Sequence, residues 1–209
     1  MKTGMLFALG LVASTLACAG QGLLSKTRLN DADLPRGVRI KLAPGGYQVA
    51  RQVTLDLCGG SFPSESDREA RFQQFAVNPD GRPFGISDEG VVYESADAAS
   101  QAFAEIRTAV AQCPTDRFVR SRVAHVPPQR YERLRELRDD QFDEIAPDHI
   151  ALAYTVTDER GNSTDIVAVF QRRGRVMVGL YGEDVARVEP FVAIVAHRLA
   201  ALSEREVEP

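Results

Sequence analysis

Three apolar runs in the C-terminal third constrain the fold more than any other feature. His149–Thr157, Asp165–Gln171 and Val176–Tyr181 each have strand length and composition, and Glu159-Arg-Gly-Asn162 and Arg172-Arg-Gly-Arg175 separate them. Short connections with Gly at the turn force neighbouring runs to pair antiparallel, so the three form a meander. Asp184 then opens a helix with Val185, Val188, Phe191, Val192, Val195 and Leu199 at core spacing. Hairpin strands followed by an amphipathic helix predict an α+β domain, an antiparallel sheet with helices packed on one face.

The preceding half repeats the pattern more weakly. Val53–Leu57 alternates apolar and polar residues and predicts a strand, as does Gly90–Glu94. Ser95 is placed to cap a helix carrying Ala99, Phe103, Ile106 and Val110 on one face, which ends near Cys113 and Pro114. Ser66–Val77 fits helix and strand equally. Phe118–Val126 predicts another strand. Gln129–Phe142 is read as a charged helical segment with Leu134 and Leu137 inward.

The N-terminus carries an address. Lys2 supplies a positive start, Met5–Leu16 is uncharged and apolar, and Ala17-Cys18-Ala19-Gly20 is a small-residue exit. That order is the layout of a secretory signal peptide. Thr15-Leu16-Ala17-Cys18 resembles a bacterial lipobox, which would place a thioether-linked diacylglycerol on Cys18. Two or more acyl chains anchor durably, at about 0.8 kcal/mol per buried methylene. Two other outcomes fit the same residues. Ordinary cleavage at Ala17-Cys18-Ala19 would release a secreted soluble protein, and Met5–Leu24, uncleaved, is just long enough to span a bilayer. The expected division is residues 1–17 as signal peptide, 18–46 as lipidated N-terminus and tether, 47–203 as one domain, and 204–209 as a disordered tail. Within the tether, Leu23-Leu24 and Leu34-Pro35 are placed to dock on the domain.

Cysteine usage agrees with export. The chain has three cysteines, Cys18, Cys58 and Cys113. With Cys18 carrying lipid, an oxidising compartment is expected to join the other two in a structural disulfide. A metal site with His125, His149 or His197 is the rival use of those thiols, but no Cys-x-x-Cys or His-x-x-x-His spacing supports it.

Taken together, the cysteine-terminated leader, Asp33-Leu-Pro35, Leu57-Cys58-Gly59, the helix ending at Cys113, the meander and the last helix resemble a family of actinobacterial lipoproteins. Its members are likened to the extracellular sensor domain of mycobacterial serine/threonine kinase H. The likeness covers most of the chain after Cys18. It differs from that domain in lacking tryptophan and in having cysteines for one bridge where the kinase domain has two. The resemblance implies an envelope protein on the outer face of the membrane, without catalytic signature and of unknown activity, that binds a small ligand. The expected function is a non-catalytic sensor-like domain whose sheet and helices enclose an apolar cleft for a small apolar or lipid-like ligand; the alternative is a structural or accessory subunit of an envelope complex.

The residues supply no chemistry of their own. Phosphate-cradling glycine loops, Gly-x-Ser-x-Gly and His-Glu-x-x-His are missing from the sequence. Ser61 beside Gly59-Gly60 has no histidine partner and is explained by turn chemistry. Asp139-Asp140 with Asp143-Glu144 lacks a glycine-centred calcium loop. No cofactor and no metal are expected. The net charge of -4 gives no reason to expect nucleic acid. The one suggestive surface is arginine-rich: Arg120, Arg122, Arg130 and Arg133 are candidate contacts to anionic headgroups or envelope phosphates. Interleaved Glu132, Glu136, Asp139 and Asp140 can neutralise it, and that is the stronger reading.

Overall fold

Alternation with period two, rather than helical spacing, organises Arg68–Val77. Arg71, Gln73 and Phe75 point to one side of a strand while Ala70, Phe72, Gln74 and Ala76 point to the other. The computed structural model describes residues 10–208, with side chains from Ala19 onward. Its centre is one seven-stranded antiparallel sheet. The strands are β1 (Arg39–Leu42), β2 (Arg68–Val77), β3 (Pro83–Tyr93), β4 (Gln129–Glu136), β5 (Asp148–Asp158), β6 (Ser163–Arg173) and β7 (Val176–Gly182). Their spatial order is β1-β2-β3-β7-β6-β5-β4. Two meanders, β1-β2-β3 and β4-β5-β6-β7, thus join where β3 pairs with β7.

The domain is α+β, and the three-stranded C-terminal meander is part of this larger sheet. Its helices cover both faces rather than one. Helix α1 (Gly10–Thr27) and helix α3 (Val185–Ala200) share a core with Phe72, Val92, Val178, Leu180 and Val169. Helix α2 (Ala96–Ala111) packs on the opposite side, where Ala99, Phe103 and Ile106 meet Val91, Tyr93, Met177 and Phe170. Both sides of the central strands are apolar, so each face needs its own cover. The caps at Ser95 and Asp184 form: each side chain accepts a backbone N–H in the first turn, from Ala98 at 3.1 Å and Arg187 at 2.8 Å.

Three expected elements differ. Gln129–Glu136 is the edge strand β4 rather than a helix. Its Glu, Arg and Leu residues favour helix individually, but pairing with β5 prevails, and Tyr131 and Leu134 face the α2-side core. A bulge between Glu132 and Arg135, with Arg133 at φ 53°, and charged side chains mark this edge. Val53–Leu57 forms no strand, because its N–H groups find another acceptor: Thr54 and Leu55 both donate to the Glu65 carboxylate, at 2.8 and 2.9 Å. Phe118–Val126 contributes one bridge, Val119 to Gln129. There the Arg122 N–H and the Ser121 hydroxyl donate to Asp56.

The lead-in is folded. Leu23, Leu24, Leu29 and Leu34 are all buried in the α1-side core. The C-terminal segment is ordered too: Glu204–Val207 forms a short helix, α4, and the Val207 carbonyl accepts the Arg175 N–H at 3.0 Å, which corrects the expected tail. Residues 1–9, the charged start and first half of the leader, lie outside the described residues. Among the described residues, no helix is long and apolar enough to cross a membrane.

Candidate functional site

The α2-side face of the sheet is only partly covered by its helix. Helix α2 sits over Val91, Tyr93 and Met177, toward the end where β3 finishes and β7 begins. At the other end an open groove of about 380 Å³ runs over Phe75, Ser87, Ile166 and Tyr181, closed along one end by Pro83, Gly85 and Glu183. That volume lies at the small end of ligand sites, about 300–1,000 Å³. Its floor is apolar, with the Thr164 and Ser87 residues and the rim carboxylates of Asp165 and Glu183 as polar features. Tyr181 stacks edge-on against Phe170 at 5.8 Å and marks the inner end. Burial and the nearby Glu89 carboxyl raise the Tyr181 phenol well above its ordinary range, so it is a neutral hydrogen-bonding group at any physiological pH.

Behind that inner end lies a buried ionic cluster. Arg71 and Glu89, diagonal neighbours on β2 and β3, form a fully buried ion pair. Arg71 also donates to the Gly45 and Gln48 carbonyls, while Arg68 donates to the Gln52 carbonyl at 2.8 Å and to Thr54 Oγ1 at 2.6 Å. Together with Glu65, these side chains hold Ala43–Phe62, a stretch without helix or strand, against the sheet. The carbonyls of such a stretch would otherwise be buried without donors. Burial pushes the Glu89 carboxyl up to about 7, against the lowering pull of Arg71. The neighbouring residue, Asp88, faces the α1 side. It too is pushed up to about 7 by burial, while the Leu29 N–H and Gln74 favour its ionised form.

The residues singled out from sequence have the following places. Cys58 and Cys113 are joined in a disulfide with Cα atoms 5.0 Å apart, tying the end of α2 to the irregular stretch. Cys18 lies in α1, and its side chain is outside the described ones. The four arginines do not form an unpaired cationic face. Arg122 reaches Glu65 at 3.6 Å and lies over the Phe62 ring, Arg130 pairs with Glu132 at 2.7 Å, and Arg133 lies 3.9 Å from Asp165. Arg120 is exposed in a segment that is not a strand, so period-two alternation does not align it with Arg122. Both ring nitrogens of His149 are engaged, by the Ala146 carbonyl and Asp139, and His197 meets Glu144 at 2.7 Å. Ser61 is exposed beside its glycines. Among the described residues, no three His, Cys, Asp or Glu side chains converge as a metal site.

Arg71, Asp88, Glu89 and Tyr181 are absent from the sequence-derived candidates. The available signal was the charged pair Asp88-Glu89 inside an otherwise strand-like run, together with Arg71 between Ala70 and Phe72.

No family model matches the chain, and no curated protein matches it. Among solved structures, it is similar to the extracellular domain of PknH from Mycobacterium tuberculosis, with a TM-score of 0.50 and 10% identity over 89% of this chain and 97% of that one. The likeness is one of fold.

Proposed function

We propose that the chain is an exported lipoprotein, anchored through Cys18 on the outer face of the cell membrane, whose domain binds a small apolar or lipid-like ligand without transforming it. The observation that carries the binding part is the groove over Phe75, Ile166 and Tyr181, an apolar stretch of the sheet face left open beyond the end that α2 covers. Its few polar groups suit one orienting contact to a small amphiphile. His149 and His197 are engaged by the Ala146 carbonyl, Asp139 and Glu144, away from the groove, which supports a non-catalytic role. The leader and the Cys58–Cys113 disulfide support an oxidising compartment. The fold it shares with a domain described as extracellular is consistent with that location.

The test is thermal-shift screening of the mature chain against lipids and envelope metabolites. A ligand that binds only the folded chain raises the melting temperature, and the rise grows with the logarithm of ligand concentration above Kd. Stabilisation of the parent chain, lost in Ile166→Arg, supports the reading. Failure of every compound to stabilise the parent chain counts against it.

A further inference from the structure

The anchor and the groove lie at opposite ends of the same strand. Helix α1 enters the fold at Gly20, where an added Cβ would come 2.8 Å from Ala70 Cβ and 3.8 Å from Val92 Cβ. Gln21 donates to the Arg71 carbonyl at 3.2 Å, and α1 then advances until the Leu29 N–H meets Asp88. Its N-terminal side therefore points past the Tyr93 end of β3. The groove uses Pro83, Gly85, Ile86 and Ser87, at the other end of that strand. From Ile86 to Val92 is about 20 Å at the rise of a β-strand. Only Ala19 separates the proposed lipid-bearing cysteine from the packed Gly20, so the linkage has almost no slack.

From this juxtaposition we infer that the anchored domain stands with the Tyr93–Arg175 end on its own bilayer and the groove mouth turned away from it. The inference rests on the lipid-anchor reading. It adds a source for the ligand: the groove loads from the aqueous side, not from the acyl chains of the leaflet that holds the protein. Asp67, Glu94 and Asp97 stand near the bilayer end; of the arginines there, Arg175 pairs with Glu69, Arg172 with Asp148, Arg173 donates to the Leu199 and Ala200 carbonyls, and Arg205 on α4 is exposed. Adhesion accordingly depends on the covalent chains rather than on anionic headgroups. Arg130, opposite Thr157 in the ladder, and Arg133, beside Asp165, belong to the groove end and do not meet that bilayer.

The test uses the mature lipoprotein in phosphatidylcholine–phosphatidylglycerol vesicles containing a lipid-borne fluorescence quencher. A fluorophore is attached at Glu94→Cys or at Thr164→Cys, both exposed positions away from the cores. The expected result is loss of emission at position 94 and unchanged emission at position 164. Equal quenching at both, or stronger quenching at 164, overturns the orientation. A flexible Gly-Ser insertion between Ala19 and Gly20 is expected to abolish quenching at 94, and persistence of quenching would overturn the role of the short linkage. A chain that does not float with the vesicles overturns the anchor reading itself, and that outcome is distinct from a floating chain quenched at 164.

Discussion

Asp88 accepts the Leu29 backbone N–H at 2.9 Å and thereby ties the end of α1 to the middle of the sheet. Gln74 completes the junction, donating to the Leu29 carbonyl at 2.7 Å and to Asp88 at 3.1 Å. The N-terminal helix is thus fastened by polar groups set inside an apolar layer.

That fastening sets the pH response. Asp88 has a folded-state value raised to about 7 from 3.8, because burial disfavours its ionised form. Between those limits the folded protein holds a proton that the unfolded chain has released, so its stabilising contribution is fully present below the unfolded value and is lost as pH rises through about 7. The group contributes on the order of 1 kcal/mol per pH unit in that window. The melting temperature is expected to be higher at pH 5 than at pH 8, and Asp88→Asn should flatten the slope. Calorimetric melts across that range check it.

The Arg71–Glu89 pair leads to a separate prediction. Removing one partner of a buried ion pair strands a charge and costs about 3–5 kcal/mol, whereas removing both is often much less harmful. Denaturant unfolding of Arg71→Met should therefore show a larger loss than the double variant with Glu89→Gln. Arg71→Met also frees the Gly45 and Gln48 carbonyls, so proteolysis within Ala43–Phe62 should quicken.

The disulfide joins residues 55 positions apart. A closed loop of that size is worth about 4 kcal/mol in the chain-entropy treatment. Cys58→Ser with Cys113→Ser should lower unfolding free energy by that order, measured against the oxidised parent, and reduction of the parent should reproduce the loss.

Legibility differed by region for physical reasons. The meander, its turns and the caps at Ser95 and Asp184 were readable because short connections and a single buried stripe leave few alternatives. Gln129–Glu136 was not, since its residue types favour helix and only pairing with β5 makes it a strand. Val53–Leu57 alternates like a strand, yet the Glu65 carboxylate takes the N–H groups a ladder would have used. The groove was invisible for a related reason. Phe75, Ile166 and Tyr181 come from three separate strands, and each alone reads as ordinary core.

Within the groove, Ile166 is half-buried and packs on the edge of the α2-side core. Ile166→Arg should cost about 1 kcal/mol in the unliganded chain, the centre of the usual range for single changes, and leave it folded. The same change should remove ligand-induced stabilisation, as read by thermal shift.

The intact mass of the mature N-terminus, taken from membranes of the producing cells, tests the account most directly. The predicted result is a chain beginning at Cys18 and heavier by a diacylglycerol. An unmodified chain beginning at Gly20, or one retaining Met1 in the cytosol, would contradict it.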